Sequence, residues 1–299
     1  MTREQFVWRS MLFVPATSDR FVESALKQPA DALQIDLEDS VAPDFKESAR
    51  QRLPQIADNF AAAGLDVLVR VNRPWRLLVR DLEASVRASV HAVSLPKVPD
   101  ASHIRAAAEV LDECEREHRL PIGHTRIIAM VEDAEGLHNM AAIAAAHPRV
   151  YGMIVGSEDL AASLRMVPDE DGLYVHNVMG VAACRRAGIE PIGFVGSIAE
   201  FADQDAFRAR IRRARRLGFT GCFCIHPKQV IIANEEFSPQ PEEVEHARGL
   251  VAEFERQVAA GQAAHTYKGR MVDLPIVEQA RQVIARQEAI ERRARRAAR

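Results

Sequence analysis

The fold is decided by residues 126–159, which read RIIAMVEDAEGLHNMAAIAAAHPRVYGMIVGSED. Two short apolar runs, residues 126–131 and 150–155, have the length of buried strands, and each is followed directly by polar and acidic residues. Between them, residues 135–146 have the apolar spacing of a helix. A strand, a helix and a second strand within roughly 30 residues make one unit of a parallel sheet. This stretch therefore predicts an α/β fold built from such units.

The same pattern recurs along the chain. Strand-like runs begin at residues 11, 32, 66, 92, 126, 150, 191 and 221. Helices are predicted over residues 18–27, 46–59, 80–89, 102–119, 135–146, 175–187, 204–217 and 228–235. Eight such units are the number in a TIM barrel, whereas a doubly wound sheet usually has about five or six strands. We therefore predict an α/β fold of the (β/α)8 TIM barrel type, with an open sheet and a miscounted strand as the alternative.

The repeat ends near residue 237. Beyond it the sequence predicts a charged helix over residues 242–260, a loop over residues 261–269 and a last helix from Ile276. We therefore predict a TIM-barrel catalytic domain over residues 1–237. The remaining residues 238–299 are predicted to form a C-terminal helical lid segment that also takes part in oligomerisation.

Charge and composition exclude several classes of protein. The 299 residues include 39 Lys and Arg against 42 Asp and Glu, a net charge of -3, which gives no general attraction to nucleic acid or an anionic membrane. Residues 291–299 are arginine-rich, but without aromatic residues they favour a solvated helix end over a nucleic-acid arm. No apolar run approaches about 18 residues, and residues 1–9 lack the apolar core of a signal peptide. Four scattered cysteines favour a reducing compartment, so we predict a cytoplasmic protein.

Polar residues gather at the predicted carboxyl ends of the strands, where TIM barrels place their active sites. They are Asp36, Glu38, Asp39, Arg70, Asn72, Lys97, Glu132, Asp133, Glu158, Asp159 and His226. Carboxylates that converge raise one another's pKa unless a cation lies among them. Oxygen ligands without a zinc-type pair of histidines favour a hard ion, above all Mg²⁺, which takes one or two carboxylates.

Two of these residues have more than one interpretation. Asp36 lies within an apolar run and either binds a metal or pairs with a neighbouring Arg or Lys of the barrel. Arg70 stands alone among apolar residues and needs an anion, which is either a barrel carboxylate or the carboxylate of a substrate. The sequence leaves these alternatives open.

Other polar residues are predicted to be structural. Lys46 and Arg50 lie one turn apart on a helix, which is typical of a solvated face. Cys222 and Cys224 alternate on one strand and are predicted to be core residues, not nucleophiles. His226 precedes Pro227, as in a turn, and is predicted to be mainly structural.

Several motifs follow one another along essentially the whole chain. They include RSMLFVP at 9–15, DLEDSV at 36–41, VRVN at 69–72, LPKV at 95–98, VEDAEGL at 131–137, GSEDL at 156–160, IHPKQ at 225–229 and GRMVDLP at 269–275. Their order and spacing resemble the citrate lyase beta-subunit and malyl-coenzyme A lyase family of metal-dependent TIM-barrel aldolases. Each motif alone is weak, but their order together is specific.

The resemblance implies roles for named residues. By position, Glu132 and Asp159 are similar to the two ligands of Mg²⁺ or Mn²⁺. Arg70 is similar to the arginine that holds the substrate's carboxylate or carbonyl oxygens. Asp273 is similar to a lid aspartate that acts as acid or base, in its own or a neighbouring subunit.

The resemblance also implies supporting residues and an assembly. Glu38 and Asp39 resemble carboxylates that hold metal-bound waters next to the substrate. Arg20 either contacts a coenzyme A phosphate or is a charge on a helix surface. Family members are homotrimers or hexamers, so a homo-oligomer is implied here as well.

The implied chemistry is cleavage or formation of a carbon–carbon bond beside a thioester through a metal-stabilised enolate. Malyl-, citramalyl- and citryl-thioesters of coenzyme A or an acyl-carrier protein are the implied substrates, and thioester hydrolysis is a further activity of such sites. Cys222 stands where relatives carry Lys or Arg, which leaves the acyl carrier open. One alternative is an aldolase of pyruvate or oxaloacetate. Another, of a different class, is a non-catalytic subunit that binds a carrier protein or a metabolite.

Overall fold

The structure is a computed structural model that describes residues 6–199, 202–261 and 265–297, with the backbone alone at residues 265 and 297. Parts of four predictions lie outside these residues: the N-terminal stretch without a signal peptide, the loop over 261–269, the last residues of the basic tail and the outer ends of the two predicted domains. None of the helices in the described ranges is long and apolar enough to cross a membrane.

Eight parallel strands form the main sheet. They are β1 Ser10–Pro15, β2 Ala32–Asp36, β3 Asp66–Arg70, β4 Ala92–Leu95, β5 Arg126–Val131, β6 Val150–Val155, β7 Glu190–Ile192 and β8 Cys222–Cys224. Each pairs with the next along the chain from β1 to β7, and β8 pairs with β1. A parallel bridge between Ile192 and Gly221 joins the remaining two edges. The predicted TIM barrel is therefore confirmed, and the open sheet is excluded.

Helices alternate with these strands. They are α1 Asp19–Ala25, α2 Lys46–Ala62, α3 Trp75–Ser85, α4 Ala101–Glu117, α5 Ala134–Ala144, α6 Ser157–Leu164, α7 Glu170–Ala187, α8 Gln204–Leu217 and α9 Pro227–Glu236. The predicted bounds of α3 were wrong, because Pro74 precedes its first turn and Val86 adopts an extended backbone that ends it. The short α6 was not predicted, since one helix was assigned to each strand; Arg165 ends it in a left-handed conformation (φ 56°).

The strands are buried on both faces. Residues such as Leu33, Ile35 and Val69 pack into the main hydrophobic core with the surrounding helices. The alternate residues point the other way, into the barrel, and include polar side chains: Ser94 Oγ donates a hydrogen bond of 2.6 Å to Gln34 Oε1. Strand alternation thus sets which side chains reach the barrel interior and its carboxyl end.

The chain divides into two compact units, of which Trp8–Phe237 contains the barrel. The smaller unit comprises Phe6, Val7 and the described residues from Ser238 onward. Its elements are α10 Pro241–Ala259, β9 His265–Tyr267, β10 Arg270–Val272 and α11 Leu274–Ala297. The roles predicted for residues 1–237 and 238–299, a catalytic domain and a lid, stay predictions.

The loop predicted over residues 261–269 is partly wrong. Strands β9 and β10 pair antiparallel through Tyr267 and Arg270. The two residues between them, Lys268 and Gly269, have φ angles of 47° and 78°. Two positive φ angles in a two-residue turn match the twist of a hairpin. The sequence signal was the lone glycine of a Lys-Gly pair, which is weaker than Asn-Gly.

Candidate active site

A pocket of about 420 Å³ lies at the carboxyl ends of the barrel strands. Its apolar wall includes Phe13, Phe21, Met130, Ile154, Phe194, Ile198, Phe223 and Ile225. Its charged residues are Asp36, Arg70, Asp39, Glu132, Glu158 and Asp159. Of the described residues that line the pocket, five are carboxylates and one is a cation.

Arg70, at the end of β3, is held by three carboxylates. Its Nε and Nη2 donate to the two oxygens of Asp36, each at 2.7 Å. Its Nη1 lies 2.9 Å from Glu38 Oε2 and 3.3 Å from Asp39 Oδ2. The guanidinium also stacks on the Phe13 ring at 4.8 Å. Asp36 therefore pairs with a neighbouring arginine, and Arg70 has a barrel carboxylate as its partner, because the two form a bidentate pair among the residues that line the pocket.

Burial and pairing act in opposite directions on these carboxylates. Burial raises the pKa of Asp36, but the hydrogen bonds and charge of Arg70 outweigh it and hold that pKa below its ordinary value. Burial also raises the pKa of Glu38; Arg70 opposes this and Asp39 adds to it, and the pKa stays above its ordinary value. Of these two carboxylates, Asp36 is therefore the one that Arg70 keeps charged.

The segment after β2, which carries Glu38 and Asp39, is fastened from both sides. Lys46 Nζ donates to the carbonyl oxygens of Leu37 and Glu38 at 2.9 Å and 2.6 Å. Asn72 Nδ2 donates to the Leu37 carbonyl at 2.9 Å. These bonds fix the backbone from which the Glu38 carboxylate reaches Arg70.

Asn72 is held in turn by a buried ion pair. Asp81 Oδ2 accepts from Asn72 Nδ2 at 2.7 Å and from its backbone amide at 2.8 Å. Asp81 Oδ1 accepts from Arg50 Nε at 2.8 Å, and Arg50 is 7% exposed. The solvated face predicted for Lys46 and Arg50 is therefore wrong. A spacing of one turn cannot tell which way a helix face points.

Glu132 follows β5 and is buried, with 5% of its surface exposed. Its Oε2 accepts a hydrogen bond of 2.8 Å from the Lys97 backbone amide. A side chain at position 156 would collide with it, because a Cβ on Gly156 would lie 2.6 Å from Glu132 Cγ. Burial raises the pKa of Glu132 to about 7, and the neighbouring Glu38 and Asp159 add to this, whereas the Lys97 amide and ammonium oppose it.

Lys97 was named among the polar residues at the strand ends, but the sequence prediction of the site gave it no role. Its Nζ lies 3.2 Å from Glu38 Oε1 and 3.3 Å from Asp159 Oδ1. Burial lowers its pKa, but the surrounding carboxylates, with Glu38 first, outweigh burial and raise it. The available signal was its position directly after β4, in the list of strand-end residues.

The described residues fit a hard divalent cation at Glu132 and Asp159. Both carboxylates line the pocket, and acidic groups exceed basic ones even when Asp36 is counted as neutralised by Arg70. No group of three or more His, Cys, Asp and Glu side chains within the described ranges is arranged to hold a metal. Two carboxylates suffice for Mg²⁺, which completes its octahedron with water and substrate.

The other predicted residues have contacts of their own. Arg20 is an exposed residue of α1, 6.0 Å from the Phe21 ring. Asp273 is half-buried before α11, and its Oδ1 lies 3.5 Å from the Ile276 amide. His226 caps α9 by accepting from the Lys228 amide, as a structural residue does. Cys222 and Cys224 are fully buried in the main core, as predicted.

The sequence is similar to characterised proteins over nearly its whole length. The family described as HpcH/HpaI aldolase/citrate lyase matches residues 9–227. An L-malyl-CoA/beta-methylmalyl-CoA lyase of Cereibacter sphaeroides is 33% identical, over 94% of this chain and 95% of its own. A (3S)-malyl-CoA thioesterase of the same species is 35% identical, over 97% and 98%.

Solved structures share the fold. The protein CitE from Mycobacterium tuberculosis, in complex with magnesium, acetoacetate and coenzyme A, superposes with a TM-score of 0.73 at 27% identity. The match covers 95% of this chain and 99% of that one. RipC from Yersinia pestis gives a TM-score of 0.64 at 28% identity, over 80% of this chain and 99% of its own.

Proposed function

The chain belongs to the HpcH/HpaI aldolase/citrate lyase family, and we propose that it is a metal-dependent carbon–carbon lyase acting on a 3-hydroxyacyl thioester. Malyl-, citramalyl- or citryl-coenzyme A, or the corresponding acyl-carrier thioester, is the substrate class. The named activities of the two Cereibacter relatives support this choice. They also support hydrolysis of the thioester as a further activity of the same site.

One observation carries the proposal. Glu132 and Asp159 line the same pocket as Arg70, so two carboxylates for a cation and one guanidinium for an anion face a shared space. When bound there, Mg²⁺ or Mn²⁺ would stabilise the negative charge that develops on a carbonyl oxygen. A small oxo acid has the two features that this space recognises, a carboxylate and an adjacent carbonyl.

The chain's own residues have distinct tasks in this proposal. Glu132 and Asp159 hold the cation, and Arg70, already oriented by Asp36, binds the carboxylate of the oxo-acid half. Glu38 and Asp39 hold water beside the cation. When the bond between C2 and C3 breaks, the 3-hydroxyl gives up its proton and becomes the carbonyl of the oxo acid. The acyl half leaves as an enolate that takes up one proton on C2, and Asp273 is proposed to exchange the proton at this carbon, from its own or a neighbouring subunit.

Two broader features belong to the proposal. A homotrimer or hexamer follows from the family resemblance. A cytoplasmic location is supported by four free thiols, all buried among the described residues.

The test is a panel of acyl-coenzyme A and acyl-carrier thioesters assayed with Mg²⁺ and with EDTA, with both the oxo acid and free thiol measured. EDTA should abolish turnover. Glu132→Ala should lower kcat/KM on the order of 100-fold or more and weaken Mg²⁺ binding measured by calorimetry. Glu135→Ala, an exposed glutamate three residues on, is the matched control and should change neither.

The outcomes separate the alternatives. Full activity and metal affinity in Glu132→Ala would refute the proposal. Turnover restricted to free pyruvate or oxaloacetate with an aldehyde would indicate the aldolase. Metal binding without turnover of any thioester would indicate a non-catalytic subunit.

A further inference from the structure

We propose that the ammonium group of Lys97 is a fixed counter-ion of the active-site carboxylates that limits how tightly the site binds its divalent cation. The inference rests on the proposed function, since it takes Glu132 and Asp159 as the metal ligands. It assigns a task to a residue that the family resemblance left without one.

Lys97 joins carboxylates that come from three different strand ends. Its Nζ lies 3.2 Å from Glu38 Oε1, after β2, and 3.3 Å from Asp159 Oδ1, after β6. Its backbone amide donates to Glu132 Oε2, after β5, at 2.8 Å. Lys97 therefore contacts both proposed metal ligands, one through its side chain and the other through its main chain.

The position of Lys97 is fixed by its backbone. Its φ angle of 49° lies in the left-handed region, which is uncommon for a residue other than glycine. Its carbonyl oxygen accepts a hydrogen bond of 3.0 Å from Arg73 Nε. A strained residue held from both sides at a strand end is typical of functional sites.

Lys97 approaches the carboxylates without lining the pocket. The described residues that line the pocket include Glu132 and Asp159 but not Lys97, and the Lys97 side chain is 32% exposed. In the proposal, a cation that enters through the pocket shares Asp159 with the ammonium, so both positive charges act on Asp159 together.

Two effects of the lysine can be separated because they use different atoms. The hydrogen bond that orients Glu132 comes from the backbone amide and persists whatever the side chain is. The ammonium contributes charge, which repels a divalent cation a few ångströms away and reduces its affinity by a factor of about ten or more. Replacement of the side chain should therefore tighten metal binding, whereas a positioning role for the ammonium predicts weaker binding.

The test measures Mg²⁺ and Mn²⁺ affinity by titration calorimetry in the full-length protein. Lys97→Met and Lys97→Gln should each bind Mn²⁺ about tenfold more tightly than the wild type. Both should melt at a lower temperature in EDTA, because the carboxylates lose a counter-ion, and gain more than the wild type when Mg²⁺ is added. Lys97→Arg keeps the charge and should retain wild-type affinity.

Lys27→Met is the matched control. It makes the same chemical and net-charge change at an exposed residue after α1 and should leave metal affinity unchanged. Unchanged or weaker metal binding in both neutral Lys97 variants, while Glu132→Ala still abolishes binding, would overturn this inference alone. If Glu132→Ala and Asp159→Ala also bind metal normally, the proposed function fails as well.

Discussion

The barrel holds a buried arginine and its carboxylate partners at each end, and the two sets differ in how deeply those partners are buried. At the amino end, Arg149 precedes β6 and has 2% of its side chain exposed. It donates to Glu115 Oε1 at 2.7 Å and Oε2 at 2.5 Å, and to the Thr125 carbonyl at 2.9 Å. Asp112 is a further partner. At the carboxyl end, Arg70 has a similar set of carboxylates, but one of them, Asp39, is 58% exposed.

The buried glutamates show the difference most directly. Burial raises the pKa of Glu115, but Arg149 and the Thr125 and Gly123 amides outweigh it and hold that pKa low. Burial raises the pKa of Glu132 to about 7, and the hydrogen bond from the Lys97 amide offsets this only in part. Pairing with an arginine holds the pKa of a buried acid low and stabilises the fold, whereas a buried acid with a raised pKa in a pocket is a candidate for ligand binding.

The largest expected effect is at the amino end. Arg149→Met leaves Glu115, which is fully buried, without its cation, and this should cost about 3–5 kcal/mol of unfolding free energy. Because Arg149 is far from the strand ends that form the pocket, kcat/KM per folded molecule should stay within about twofold of the wild type. Urea denaturation and initial rates measure the two quantities. A variant of normal stability with impaired turnover would break the comparison.

At the carboxyl end a milder change should act on activity instead. Arg70→Lys keeps a positive charge beside Asp36 but loses the bidentate geometry that orients it toward a substrate carboxylate. We expect kcat/KM to fall about 100-fold. The loss of unfolding free energy should be smaller than that of Arg149→Met, as measured by the same denaturation. Equal losses of stability in the two variants would mean that Arg70 is merely a second structural arginine.

The fold, and the presence of Glu132, Asp159 and Arg70 in one pocket, could be predicted because both follow from the order of strands and helices along the chain; the roles of these residues stay predictions. Arg70 ends β3, Glu132 directly follows β5, and Asp159 lies in the first turn of the helix after β6. Parallel strands bring such positions to one end of a barrel. Helix α6 escaped prediction because eight residues are too short for a clear periodic signal.

Contacts between strand ends could not be predicted in the same way. Lys97 reaches Glu38 and Asp159 through a left-handed backbone turn at its own position, and no spacing in the sequence encodes that turn. Arg50 has the spacing of an exposed residue, yet it pairs with Asp81, which holds Asn72 and through it the segment after β2. The position of Asp81 depends on where α3 begins, which was itself predicted incorrectly.

The smallest expected effect is on the pH dependence of the unfolding free energy, which compares the two buried glutamates, Glu132 and Glu115. Glu132 has a pKa of about 7 in the folded protein against 4.5 for an ordinary glutamate. The folded state therefore binds this proton more tightly than the unfolded state. The contribution of Glu132 to stability is complete below pH 4.5 and is lost as the pH rises through 7. Above pH 7, a buried charge opposes folding.

Glu132→Gln removes that charge. In EDTA at pH 8 it should raise the unfolding free energy by up to about 3 kcal/mol, and the gain should vanish near pH 4, as measured by urea denaturation. Glu115→Gln is the control with the opposite sign, because a lowered pKa stabilises the folded protein above the ordinary value. If both variants lose stability at pH 8, the charged form of Glu132 is stabilised by its contacts as that of Glu115 is, and the contrast between the two ends of the barrel fails.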